Sequence, residues 1–340
     1  MEVMSTGPET VREAIEAFRG DLSIRRSPHT VEAYTTALRH FETFCADVHQ
    51  PSDLMPIQDV VPDMALSFVR WLQARNPVSP TTLDNYLTAL TRFYRWLMLE
   101  DRASFSVADY ARLQERLTDV RGRRPPRPLP HLPAEDAVQA LLQAAYAVPL
   151  PDKAHTPQGR RAALRRLRNI ALLEVLRSTG ARVGEVVGLR RGDLDYERRA
   201  AVVTGKGRKQ RLVYFDDRAW GTVTHYLRAR GDGASGRSLG TLPVFARHDR
   251  GAGRKVLSIS TNTVRGAINE LCKSAGLDET ITPHLLRHRF ATRVLSATHD
   301  LAATQDLLGH ASPTTTRIYA KLTDEDTAEA HRQARESGKL

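Results

Sequence analysis

The sequence has almost no cysteine. Cys45 and Cys272 stand far apart, with no CxxC pair and no His/Cys cluster. That argues against a disulfide framework or a zinc site and fits a reducing compartment. Both thiols are expected to act as small core residues. Long apolar runs are missing as well: nothing approaches the roughly 18 residues that a membrane span needs. The opening stretch MEVMSTGPETVREAIEAF has no basic flank leading into an apolar segment, so no signal peptide is expected. The Gly-x-x-x-x-Gly-Lys-Ser/Thr spacing of a phosphate-cradling loop is absent, and no nucleotide cofactor is implied.

What is present is a chain of 340 residues, 41% hydrophobic and 26% charged, the balance of a folded protein long enough for two domains. Lys plus Arg outnumber Asp plus Glu by 50 to 39, a formal +11. An excess of that size suits a polyanionic partner, because neutralising phosphates releases condensed counterions, although charge alone can serve solubility.

From Pro8 to about residue 118 the pattern is helical. Val11, Ile15, Phe18 and Leu22 recur at helical spacing, and Val31, Tyr34, Leu38 and Phe41 form a second stripe. Two segments open alike, Ser27-Pro28-His29-Thr30 and Ser79-Pro80-Thr81-Thr82, each a helix-start signal and together an internal echo. The aromatic stripe Tyr86, Phe93, Tyr94 and Trp96 reads as core rather than as a base-stacking surface. Arg39, Arg70, Arg92 and Arg95 on the polar faces are the candidates for phosphate contact.

Residues 119–133, DVRGRRPPRPLPHLP, are rich in proline and arginine and are expected to form an extended, semi-rigid linker. A second domain then runs over 134–323, followed by a tail at 324–340. Within it, LPAEDAVQALLQAA starts a helix with Glu135 and Asp136 at its positive end. HTPQGRR reads as a basic turn before a long apolar helix ending at Gly180. RRAAVVTGKGRKQRLVYF reads as a β-hairpin, and residues 238–258 as a Gly-rich basic loop. The expected fold is mainly α with a small β-sheet: an all-helical domain ahead of a mixed α/β domain.

Six residues in the second domain combine into one chemistry. Arg182 follows Gly180, with Glu185 one turn later to orient it; alone this would be an ordinary surface pair. Lys206 lies between two glycines at the hairpin tip, where it can donate a proton to a departing alkoxide. In PHLLRHRF, His284 and Arg287 are three apart and face the same way on a helix, while His288 is expected to point elsewhere. Arg289 and Arg293 suit DNA backbone contact better than the reaction centre. His310 follows Gly309 at a helix end or tight turn, nine residues before Tyr319. Tyr319 is the expected nucleophile; a phenol titrating near 10 needs cationic neighbours and a base to attack phosphorus. No carboxylate cluster suited to two metals accompanies these motifs, so a metal-free reaction is expected.

In order and spacing, Arg182, Lys206, His284, Arg287, LLGH with His310 and RIYAK with Tyr319 resemble the tyrosine recombinase (phage integrase) family, over about residues 160–325. The helical segment resembles that family's SAM-like core-binding domain. The resemblance implies site-specific DNA recombination through a 3′-phosphotyrosyl bond and a Holliday junction, with no cofactor. It also implies double-stranded DNA bearing an inverted-repeat site, four protomers on two duplexes, and a tail that docks on a neighbour. A second recombinase or an accessory factor stays open as a partner, and the expected location is the cytoplasm, at the nucleoid. No arm-binding domain is evident ahead of the helices. Extra length near residues 100–130, 150–165 and 230–255 sets the chain apart from a minimal Xer-like member. That points to integration, excision or resolution of a mobile element or plasmid. Two rivals remain: a type IB-like DNA topoisomerase, which religates the same strand, and a non-catalytic DNA-binding regulator, which six intact residues argue against.

Overall fold

Helix starts in the first part of the chain follow from its own punctuation. Thr10 and Glu13 form a reciprocal capping box ahead of α1 (Val11–Arg25). Ser27 caps α2 (Pro28–Val48) and Ser79 caps α4 (Pro80–Leu99) in the same way. Each serine Oγ accepts from the backbone N–H three residues on, at 3.3 and 3.2 Å, and each meets that threonine's Oγ1 at 2.9 Å. The echo read in the sequence is therefore a repeated cap. Between them lies α3 (Pro62–Arg75), and α5 (Val107–Arg121) follows.

This is a computed structural model, and it describes residues 8–75, 77–121, 132–151, 155–205, 207, 209–232, 238–253 and 255–309. Most of the linker and the whole tail, with Lys206, His310 and Tyr319, lie outside the described residues. The chain divides into two compact units, Met1–Arg127 and Pro128–Leu340.

The first unit is an aromatic helical core. Phe41, Phe44, Phe93 and Tyr94 are fully buried, joined by Phe18, Phe68 and Trp96, and Phe41 meets Phe68 edge-on at 5.6 Å. Tyr94 donates its hydroxyl to the carbonyl of Val61 at 3.0 Å. The aromatic stripe is thus core, with Tyr86 packed against its margin, and Cys45 fills a fully buried place. Arg39, Arg70, Arg92 and Arg95 are exposed. At the other end of this unit α5 runs to Arg121, three residues into the stretch expected to be extended. No proline intervenes before Pro125, and Arg121 Nε pairs with Asp84 at 3.2 Å.

The second unit begins with α6 (Glu135–Ala147) and is organised by α7 (Pro157–Thr179). Here the expected basic turn proves to be helix. Thr156 caps, Pro157 takes the first position, and Arg160 and Arg161 already lie within α7. Residues Ile170 to Leu176 of α7 are buried on all sides, the mark of a helix through the middle of a core. It stops at Gly180, whose φ of +58° few other residues adopt. A short α8 (Val183–Gly188) follows.

The sheet is antiparallel, in the order β1 (Leu194–Asp195), β2 (Ala200–Thr204), β3 (Gln210–Tyr214). The predicted hairpin is β2–β3, in register from Ala200 opposite Tyr214 to Thr204 opposite Gln210. The two-residue β1 carries too little pattern to be read in advance. Helices α9 (Asp217–Arg230), α10 (Thr261–Ser274), α11 (Pro283–Thr298) and α12 (Leu301–Leu308) complete the described fold. Among the described residues no helix is long and apolar enough to cross a membrane.

Candidate active site

The start of α8 and the β2–β3 hairpin meet at one buried carboxylate, Glu185. Arg182 caps the start of α8, where its backbone N–H donates to Glu185 Oε2 and its Nη1 to Oε1, both at 2.8 Å. The Glu185 side chain is 3% exposed, whereas that of Arg182 is 42% exposed and faces solvent. From β3, Arg211 donates Nη1 and Nη2 to the two Glu185 oxygens at 2.9 Å each. Burial by itself would raise the Glu185 carboxyl. The hydrogen bonds from Arg211 and from Arg182 outweigh it and hold the group at about 2. The pairing of Arg182 with Glu185 foreseen in the sequence is thus present. Arg211 was missed, although the alternation of β3 turns it inward alongside buried Val213, an unusual setting for a basic residue.

Arg287 comes from α11 and is 3% exposed. Its Nη1 donates to the carbonyl of Gly180 and its Nη2 to that of Leu308, both at 2.6 Å. It therefore ties the end of α7, two residues before Arg182, to the end of α12. Arg182 Nη2 also points at the Gly309 carbonyl, at 3.5 Å. Gly309 has φ +62° and ends α12, the turn anticipated for the segment that leads to residue 310. On the hairpin, a Cβ at Gly205 would stand 3.1 Å from Glu185 Oε1, so a larger residue before Lys206 would press on that carboxylate.

His284 lies on the exposed side of α11, one turn before the inward-facing Arg287. It is pushed below its ordinary value by burial first, then by the charges of Arg287 and Arg182, so it senses both guanidiniums. The sequence reading of His288 needs correction. Its Nε2 is 2.8 Å from Nε2 of His284, and the ring centroids are 4.1 Å apart. Residues four apart are neighbours on one helix face, which is how the two rings meet. One ring donates and the other accepts, so a single proton sits between them. His288 is lowered to about 4, by burial and then by His284 and Arg287. Arg289 is engaged within the unit, fastening α11 to the start of α6 through the Pro133 carbonyl and Glu135. Arg293 is exposed.

Of the six residues expected in the site, the structure brings together Arg182, His284 and Arg287. Lys206, His310 and Tyr319 lie outside the described residues. An exposed guanidinium held rigid by a buried carboxylate, a second buried guanidinium and a neutral imidazole pair can bind an anionic ester and move one proton near it. The fold and this cluster define a two-unit protein whose second unit carries an exposed guanidinium on a buried carboxylate, beside a buried guanidinium and a pair of imidazoles.

Comparison with known proteins makes the class specific. The profile of the Phage integrase family matches residues 135–326, and that of the Phage integrase, N-terminal SAM-like domain matches residues 15–101. Tyrosine recombinase XerC of Pediococcus pentosaceus is 30% identical over 326 residues, covering 94% of this chain and 97% of that protein. Tyrosine recombinase XerD of Mycobacterium tuberculosis is 37% identical over 266 residues, 76% of each. The XerH site-specific recombinase bound to palindromic difH substrate superposes with a TM-score of 0.63 at 18% identity, covering 94% of this chain and 83% of that one. The chain belongs to the phage integrase family: it is a tyrosine recombinase, a DNA strand-transferring enzyme.

Proposed function

We propose that this recombinase cuts and rejoins double-stranded DNA at an inverted-repeat site, with Tyr319 as nucleophile and Arg182, Lys206, His284, Arg287 and His310 as its supporting groups. Arg182, with His310, holds the non-bridging oxygens of the scissile phosphate, and Arg287 adds its charge from behind. As the Tyr319 oxygen bonds to phosphorus, the P–O5′ bond breaks. The phenolic proton leaves toward His284, and Lys206 gives a proton to the departing 5′ oxygen. One phosphate ester replaces another, so no ATP is needed. The 5′-hydroxyl of a partner strand then attacks the phosphotyrosine and returns the proton to Tyr319. A second round resolves the Holliday junction.

The observation that carries this reading is the cluster around Glu185. Arg182 is orientated before any ligand arrives, which is what stabilising charge in a transition state requires. The lowered proton affinity of both rings favours the neutral form of His284, the form a base must start from, and His288 holds its ring through the 2.8 Å contact. The working assembly is four protomers on two duplexes, acting in the cytoplasm at the nucleoid. The biological role is integration, excision or resolution of a DNA element. XerH, which shares this fold, is bound to a palindromic substrate, the kind of site proposed here.

The test is exchange between two distinguishable duplexes. Purified protein is given two labelled DNA circles that carry the same segment of its native locus. Joint or recombinant products that require Tyr319 support the reading. Relaxation of single circles at arbitrary sequence, without exchange, would replace it with a topoisomerase.

A further inference from the structure

We propose that Arg211, which lies in β3 five residues after Lys206, is a positioning residue that sets the geometry of the phosphate-binding groups. The proposal rests on the reading of the site given above. One guanidinium here makes three contacts that no other side chain could make together. Its two terminal nitrogens bind both oxygens of Glu185 at 2.9 Å, and its Nε donates to the carbonyl of Leu307 at 3.1 Å. Glu185 passes that constraint to Arg182 through two further hydrogen bonds of 2.8 Å. The Leu307 carbonyl belongs to the last turn of α12, and a Cβ on Gly309 would lie 2.8 Å from Arg211 Cδ. The side chain is thus packed against the turn that leads to residue 310.

Arg211 therefore touches, directly or through one carboxylate, three segments that supply proposed site residues. It is itself on the hairpin, whose Gly205 packs against Glu185 one residue before Lys206. Through Glu185 it fixes Arg182, and through Leu307 it fixes the end of α12. Planar geometry explains why arginine stands here: the fork matches a carboxylate in two parallel bonds while Nε leaves along a third direction. A lysine ammonium keeps the charge but cannot span both partners. The charge arrangement suits the role too. Glu185 neutralises the half-buried Arg211, with 13% of its side chain exposed, and Arg182 stays open to a ligand.

The experiment compares Arg211→Lys with the parent enzyme. The probe is a nicked duplex enriched on the immobilised protein from a pool with randomised inverted-repeat arms. Single-turnover formation of the Tyr319 adduct is measured at saturating protein, alongside duplex affinity and melting temperature. The expected result is cleavage about 10²-fold slower, the cost of misplacing reacting groups by an ångström, with duplex affinity kept. Glu185→Gln should be slowed similarly, and the double variant no further than the slower single one. An Arg211 that merely supports folding would lower the melting temperature and leave the rate per folded molecule at the parent value, and that result overturns the proposal. Should Arg211→Lys melt below the assay temperature, Arg211→Ala is assayed with added guanidinium ion. Restored cleavage supports positioning, and no restoration where the parent stays active overturns it. A parent that forms no Tyr319-dependent adduct removes the reading of the site itself, and this proposal with it.

Discussion

Phe41 and Glu174 are both fully buried, one in each unit, and their surroundings have little in common. Phe41 sits among Phe44, Phe68 and Tyr94. Glu174 accepts from the Tyr146 hydroxyl at 3.1 Å and from Arg177 Nε at 2.9 Å, and it forms an ion pair with Arg218 at 2.7 Å. The contrast runs through the molecule. Among the described residues, the first unit buries no charged side chain, whereas the second buries Arg168, Glu174, Glu185, Arg230, Asp232 and Arg287. Apolar burial stabilises without direction. A buried ion pair gives back in desolvation much of what it gains in attraction, so its effect is to fix where groups sit. Both units rest on an apolar core, and the second adds buried ion pairs that hold charged groups at set positions.

The sharpest way to break that comparison is to remove the exposed cation from the second unit. Arg182→Ala should slow Tyr319-dependent cleavage by about 10²–10³-fold, with duplex binding largely kept, as single-turnover assays at saturating protein would read. Next in size, Phe41→Ala should lower stability by about 3–5 kcal/mol through a cavity. Hydrogen exchange on the full chain should show faster opening confined to the first unit. Loss of protection spreading equally through both units would mean that they do not differ as described.

Acid should act on the second unit through its buried imidazoles. His288 and His248 are each held at about 4, His248 by burial first and then by Arg168 and Arg230. Their ordinary value is 6.5, so between 6.5 and 4 the unfolded chain takes up protons that the folded rings refuse. Stability from this source is complete above 6.5 and is lost as pH falls toward 4. Exchange protection of the second unit should decline over that window, and replacing both histidines by asparagine should flatten the decline. The smallest effect lies in the first unit. Ser27→Ala and Ser79→Ala should each cost about 1 kcal/mol. Nearly equal losses by thermal unfolding would show that the repeated cap is an energetic repeat.

Local signals made much of this legible in advance. The two Ser-Pro starts, the glycine end of α7 and the β2–β3 hairpin each depend on a few adjacent residues. Arg182 with Glu185 was visible for the same reason. What stayed hidden depends chiefly on distant partners. Arg211 is 26 residues from the carboxylate it grips, whereas His288 stands four residues after His284, a spacing that already makes the two neighbours on one helix face. The start of α7 was misread because the arginines after Pro157 looked like a loop. In the structure they continue a capped helix, and Arg166 further along reaches back to the carbonyls of Tyr146 and Val148.

The central claim is that Tyr319 takes the DNA phosphate. Protein trapped on a nicked duplex from its native locus can be digested with nuclease and protease, and the peptide that keeps a nucleotide can be sequenced by mass spectrometry. The account predicts a 3′-phosphonucleotide on Tyr319 and no modified peptide from Tyr319→Phe. A nucleotide on any other residue, or an adduct that survives Tyr319→Phe, would contradict it.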